Sequence, residues 1–199
     1  MDNQRQALLD SIEELNGRAD ELFARHSPEE LFRKPSRKSW SIAQCVEHMD
    51  TSLGLYLPAF EATLASGAPK GSGPFAWGPI ARRWIRLVGP GGPKLPSPPS
   101  MWPRRAAKVP ASGAKGEVRP GPDVALPDPD ALLADFRAGN DRLAGLIRSS
   151  DGLDLARIRM RSPVIPVLRF SVGAWFETCV QHSLRHMAQA ERLSTELSD

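Results

Sequence analysis

The sequence predicts an all-α protein: a four-helix bundle with one long proline-rich crossover between its second and third long helices. Three observations carry this prediction. Four stretches of about twenty residues place apolar side chains three and four apart, the period of an amphipathic helix. The prolines are concentrated, with eleven of the nineteen lying between Gly89 and Pro129. Strand signals are sparse. The best of them, Ile158 to Leu168, is interrupted by Pro163 and Pro166 and reads as an extended connection.

The first helix is expected from about Gln4 to Arg25, with Leu8, Ile12, Leu15, Ala19, Leu22 and Phe23 on one face. It gives way to "HSPEELFRKP", where Ser27, Pro28 and two glutamates start a helix of one or two turns that Pro35 ends. The second long helix should begin near Ser39 or Ser41 and reach Ala65. Its stripe is Ile42, Cys45, Met49, Leu53, Tyr56, Phe60 and Leu64, with a kink expected at Pro58. Next, "FAWGPIARRWIRLVG" can form a short amphipathic helix, after which the proline density forbids regular structure. The third long helix is announced by "PDPDALLADF", acidic in its first turn, and runs to about Ser149. The fourth spans roughly Ser171 to Leu197. No internal repeat is present. One domain, residues 1–199, with a Pro/Arg-rich insert at about 66–129, is the expected organisation.

Composition is that of an ordinary soluble protein, with 41% hydrophobic and 25% charged residues. No apolar run approaches the ~20 residues that span a bilayer. The charged N-terminus lacks an apolar signal core, so a cytoplasmic protein is expected. The net charge of +3 is unevenly spread: Ser66 to Pro122 carries ten Lys and Arg against Glu117 alone, leaving an acidic remainder. Arg82, Arg83 and Arg86 beside Trp77 and Trp84 suggest a single-strand contact. The acidic body opposes a broad nucleic-acid footprint, so nucleic acid is not the expected partner. The crossover is expected instead to fold over the open end of the bundle, controlling access while adding little to stability, or to pack on another subunit's acidic surface in a homodimer. Two cysteines, Cys45 and Cys179, make no disulfide framework and read as buried free thiols.

Chemistry concentrates in "CVQHSLRHMAQ". His182 and His186 are four apart, just over one helical turn, and therefore lie one above the other. With Val172, Trp175, Cys179, Ala190, Leu193 and Leu197 they fall on the apolar seam. A single core histidine is ordinarily satisfied by a carbonyl or a neighbouring side chain. Two stacked imidazoles are harder to accommodate, because each needs partners and their protonation would juxtapose like charges. A shared cation resolves both problems. His48 adds weight, since it lies on the second helix three residues after Cys45. His26, at a helix end, reads as a surface charge. Three histidines from two helices would leave a divalent ion open positions for water or substrate. A closed site of Cys45, His48, Cys179 and His182 can also be drawn, but it leaves His186 unexplained. Glu47 and Glu177 are expected to point away from the seam, and Trp40 and Trp175 to serve packing.

Tryptophan eight residues before a helix-two histidine, then a last helix with H-x-x-x-H followed by Gln189 and a hydrophobic end, resembles the DinB-like superfamily of metal-binding four-helix bundles. This is not the DNA polymerase that shares the name. The segments "IARRWIRLVGPGGPKLPSPPS", "LDLARIRMRSPVIPVLRFSVGAWF" and "HSLRHMAQAERL" extend the resemblance over nearly the whole chain. It implies that His48, His182 and His186 hold a divalent metal, often zinc or nickel. Relatives include thiol-dependent S-transferases and a mycothiol-dependent isomerase. By that resemblance the expected activity is a metal-dependent transferase or hydrolase acting on a small-molecule substrate, with a low-molecular-weight thiol as co-substrate. A metal-binding bundle without catalysis is the alternative.

Overall fold

The computed structural model describes residues 2–198 apart from 68, 72–74, 76, 94, 107–110, 113–118, 122 and 123. Six helices dominate it: α1 (Asn3–Arg25), α2 (Pro28–Phe32), α3 (Ile42–Ala65), α4 (Pro79–Val88), α5 (Pro129–Ser149) and α6 (Val172–Ser198). The four long ones, α1, α3, α5 and α6, form the bundle, with α1 and α3 each packed against both α5 and α6. The starts of α1, α2, α3 and α5 are capped by side chains. The Asp2 carboxylate accepts from the Arg5 amide at 2.9 Å. Ser27 with Glu30, and Ser41 with Gln44, form reciprocal capping boxes. The Asp128 carboxylate caps α5. These caps satisfy amides that no helical carbonyl can reach, and so fix the register in which each helix presents its inner face.

The expected kink at Pro58 does not divide α3, which continues through it as one helix. Pro58 and Gly54, whose carbonyl loses its helical partner, both lie on the exposed side, where water can serve that carbonyl. The connection read as merely extended contains a short antiparallel hairpin. It pairs Arg159–Arg161 with Arg169–Ser171, in the register Met160 opposite Phe170. Pro163 and Pro166 fall in the turn and take no ladder bond, which is why they do not prevent pairing. A second pairing, two residues long, joins Ala111–Ser112 to Arg119–Pro120 within the crossover; in chain order it supplies β1 and β2, and the longer hairpin β3 and β4.

His26 is not a surface charge. Its side chain is only 7% exposed, and its Nε2 lies 2.7 Å from the Ser194 hydroxyl, tying the end of α1 to α6. The short amphipathic helix expected before the proline-rich crossover forms as α4 and contributes to the core. Phe75, Ala81, Ile85 and Val88 are buried, and α4 packs along α6. Within the proline-rich stretch that follows, Ala106 is buried. Arg82, Arg83 and Arg86 face outward from α4, whereas Trp77 and Trp84 turn inward and pack on the core.

The apolar interior is divided into two clusters. One gathers Leu53, Tyr56, Phe60, Phe75, Trp175, Phe176 and Val180; the other gathers Leu15, Ile42, Met49, Phe136, Met187 and Ala190. On α3 the division falls between Met49 and Leu53, and on α6 between Val180 and Met187. His48, His182 and His186 are at that division. Among the described residues, no helix is long and apolar enough to cross a membrane.

Candidate metal centre

The capping box at Ser41 begins α3 seven residues before His48, whose imidazole is 1% exposed on the inner face. α6 supplies His182 and His186 from successive turns. One ligand-capable atom from each of the three rings lies within 4.8 Å of the others. Ring centroids are 5.1 Å apart for His48–His182, 4.5 Å for His48–His186 and 4.6 Å for His182–His186, all edge-on. His48 Nε2 and His182 Nε2 are 3.4 Å apart.

Hydrogen bonds behind the rings decide which nitrogens are free. His48 Nδ1 lies 2.5 Å from the Met101 carbonyl oxygen, an acceptor, so this nitrogen carries the proton and leaves Nε2 a lone pair. His186 Nδ1 faces the Gln189 amide oxygen at 3.1 Å, with the same consequence for its Nε2. Burial pulls the His48 pKa down to about 4, although the Met101 bond opposes it. Burial, then the His48 charge, brings His186 down to about 3. His182 is held well below the usual value by burial and then by its two histidine neighbours and Arg185. All three rings are therefore neutral near pH 7. Three neutral imidazoles with converging nitrogens, two of them already bonded on the other ring nitrogen, form a donor set suited to a divalent cation. The residues present fit such an ion.

The alternative involving both thiols is not assembled. Among the described residues, the group able to hold an ion contains the three histidines and neither cysteine. Cys45 is fully buried in one apolar cluster and Cys179 lies in the other. Burial pushes both thiols up, which keeps them protonated.

Trp40 packs against His48 with ring centroids 4.7 Å apart and stacks on His186 at 5.6 Å. It is thus a packing residue for the imidazoles while also lining a cavity. Trp175 is a core residue alone, 0% exposed and donating from Nε1 to the Met160 carbonyl at 2.9 Å. Glu177 is away from the triad and accepts from Gln181 at 3.0 Å.

Glu47 does not point to solvent. It is 3% exposed, and its two carboxylate oxygens accept from the Arg105 and Ala106 amides at 2.7 Å each. Adjacent residues of α3 thus hold the crossover twice, Glu47 through Arg105 and Ala106, and His48 through Met101. Sequence reading missed this because the partners are more than fifty positions apart. Gln189 was discoverable: it lies three residues after His186, on the same helical face. Glu47→Ala is expected to strand two buried amides at a cost of about 2 kcal/mol or more. Thermal unfolding should register this as a fall in Tm of roughly 4–8 °C, with earlier protease cleavage in the crossover. An unchanged Tm would show that the crossover is held elsewhere.

The triad lines a cavity of about 810 Å³. Residues of the crossover between Leu95 and Pro103 form part of its wall. The turn "GPGGP" directs them there. Gly91 has φ +78°, and a Cβ on Gly92 would stand 2.2 Å from the Leu87 carbonyl oxygen, so both positions exclude larger residues. Arg185 braces this turn by donating to the Leu87 and Pro93 carbonyls at 3.1 and 2.6 Å.

Comparison with known proteins supplies one match. A sequence model described as the DinB superfamily covers residues 8–190. No curated protein and no solved structure matches significantly.

Proposed function

The chain belongs to the DinB superfamily, and from that premise we propose that it is a divalent-metal-dependent enzyme acting on a small molecule, as a thiol-dependent S-transferase or a hydrolase. The observation that carries this reading is the convergence of three neutral imidazoles on the wall of a cavity large enough for a substrate. His48, His182 and His186 would hold the ion, and the family resemblance makes zinc or nickel the expected metal. When bound through three protein ligands, such an ion supplies Lewis acidity at an open position, lowering the pKa of water or a thiol there.

The remaining roles belong to the chain. The Met101 carbonyl and Gln189 hold the protons of His48 and His186 on the outward nitrogens, fixing tautomer and ring orientation. Trp40 covers two of the rings and limits their rotation. The crossover from Leu95 to Pro103 narrows solvent access. In the transfer reaction the thiol proton passes to solvent, the sulfur forms the new bond to an electrophilic carbon, and the leaving group departs with the electron pair of the bond it loses. Among the described residues no carboxylate is grouped with the three histidines, which would therefore be the protein ligands of the ion.

Cobalt substitution tests this reading. Protein loaded with one equivalent of cobalt is expected to gain charge-transfer absorption on adding a small thiol, to gain more as pH rises, and to show none in His186→Ala. A spectrum indifferent to thiols would remove S-transfer and leave hydrolysis. A thiolate band before any thiol is added would instead implicate Cys45 or Cys179.

A further inference from the structure

The charge around the cavity is one-sided. Lys34, Arg37, Lys38, Arg185 and Arg192 line it, against a single carboxylate, Glu196. Among the described residues, no carboxylate forms an ion pair with any of these five. Lys34 Nζ reaches only the Arg37 carbonyl, at 3.3 Å. Arg185 is held by two carbonyls, which orient its guanidinium without neutralising it. Some arginines elsewhere are paired, among them Arg18 with Glu191, Arg137 with Asp20 and Arg142 with Glu61, but what sets these five apart is that they share one concave site. Leaving five cations uncompensated around one concave site is costly in self-repulsion, and clefts lined by one sign of charge attract the opposite sign.

The cations also have a common origin in the fold. Lys34, Arg37 and Lys38 come from the "RKPSRKSW" loop that delivers Trp40 to the triad. Arg185 and Arg192 are seven apart on α6, two turns along the helix that carries His182 and His186. Between them the cavity walls are apolar and aromatic, with Trp40, Trp102, Leu95 and Ile165.

We propose that the substrate of this site is an organic anion, with an apolar or aromatic body against Trp40 and Trp102 and an acidic group held by the Arg185–Arg192 side of the cavity. This rests on the reading of the cavity as a substrate site, but not on the presence of the ion. Arg185 supplies a planar fork already oriented by the backbone, suited to a carboxylate, sulfonate or phosphate. Lys34, Arg37 and Lys38, from the loop before Trp40, raise the local concentration of anions without fixing their position.

Two probes of matched shape separate charge from fit: naphthalene-2-sulfonate and methyl 2-naphthyl sulfone, both weak metal ligands. Binding to the full chain is read from tryptophan fluorescence and calorimetry at low and high salt. The sulfonate is expected to bind about tenfold more tightly at low salt, with the preference shrinking as salt screens the cations. Arg185→Gln with Arg192→Gln should reduce the preference to about twofold or less. Because Arg185 also braces the turn, Arg192→Gln with Lys38→Gln provides a pair of exposed substitutions that should reduce it without loosening the fold. Equal affinity for the two probes in the wild type, or a preference untouched by both double variants, overturns the proposal. Repeating the measurement in His48→Ala distinguishes the two readings. A preference retained without metal assigns anion selectivity to the rim even if no ion is required. A preference lost with the metal assigns it to the ion and overturns the rim, while leaving the metal site intact.

Discussion

Alanine at His48, His182 or His186 is expected to abolish stoichiometric metal binding while leaving helical content unchanged. Each substitution removes one of three converging nitrogens, and even residues that only orient a ligand are worth 10–100-fold in affinity. Loss of a ligand itself should therefore exceed about a hundredfold. The fold should tolerate this because the imidazoles lie between two apolar clusters that assemble without them. Gln189→Ala provides the internal scale. It frees His186 Nδ1 but removes no ligand, so roughly tenfold weakening is expected. Elemental analysis and competition with a chelator would measure both, with circular dichroism monitoring the helices. A Gln189 variant as damaged as His186→Ala would mean that the ring orientation is set by that one bond. An apoprotein without helical signal would make the ion structural and sink the catalytic reading.

Much of the frame was legible in the sequence because it depends on local rules. The spacing of Leu8, Ile12, Leu15 and Ala19 needs only the helical period, and α1 follows it to within a residue at each end. The capping residues Ser27, Ser41 and Asp128 likewise act within three positions of themselves. His48, His182 and His186 were legible as a group because a rare residue type recurs on faces that must pack together. What escaped was non-local. Glu47 is next to His48 and therefore off the narrow apolar stripe, which made solvent its natural destination. It is buried because the crossover brings two unpaired amides to it, and no periodicity announces that. His26 was misread for a related reason: Ser194, 168 positions away, supplies its partner. The β3–β4 hairpin was missed because its strands are three residues each, too short for alternation to register, and its prolines occupy a turn that pairing does not need.

Acid should destabilise the metal-free protein well above the pH at which its carboxylates titrate. Unfolded histidine takes up a proton near pH 6.5. In the folded chain His48 does so only at about 4 and His186 at about 3, while His182 is held well below its usual value. Because the folded values are depressed, the unfolded state binds more protons throughout the window between them, and stability must rise with pH there. The contribution of neutral burial is thus fully present above pH 6.5 and is lost as pH falls towards the folded values. His48 and His186 can each forfeit on the order of 2 kcal/mol by pH 5, His182 acts in the same direction, and the loss is a large fraction of the stability of a typical domain. Chelator-treated protein is therefore expected to show a Tm that is flat above pH 7 and roughly 10–20 °C lower at pH 5. In a variant with His182→Ala and His186→Ala that dependence should shrink to the share of His48. Added metal should move the profile to lower pH, since protons and the ion compete for the same lone pairs. A Tm independent of pH between 5 and 7 in the apoprotein would mean that the imidazoles gain protons without penalty. They would then be hydrated in solution, and their convergence would no longer require a cation to explain it.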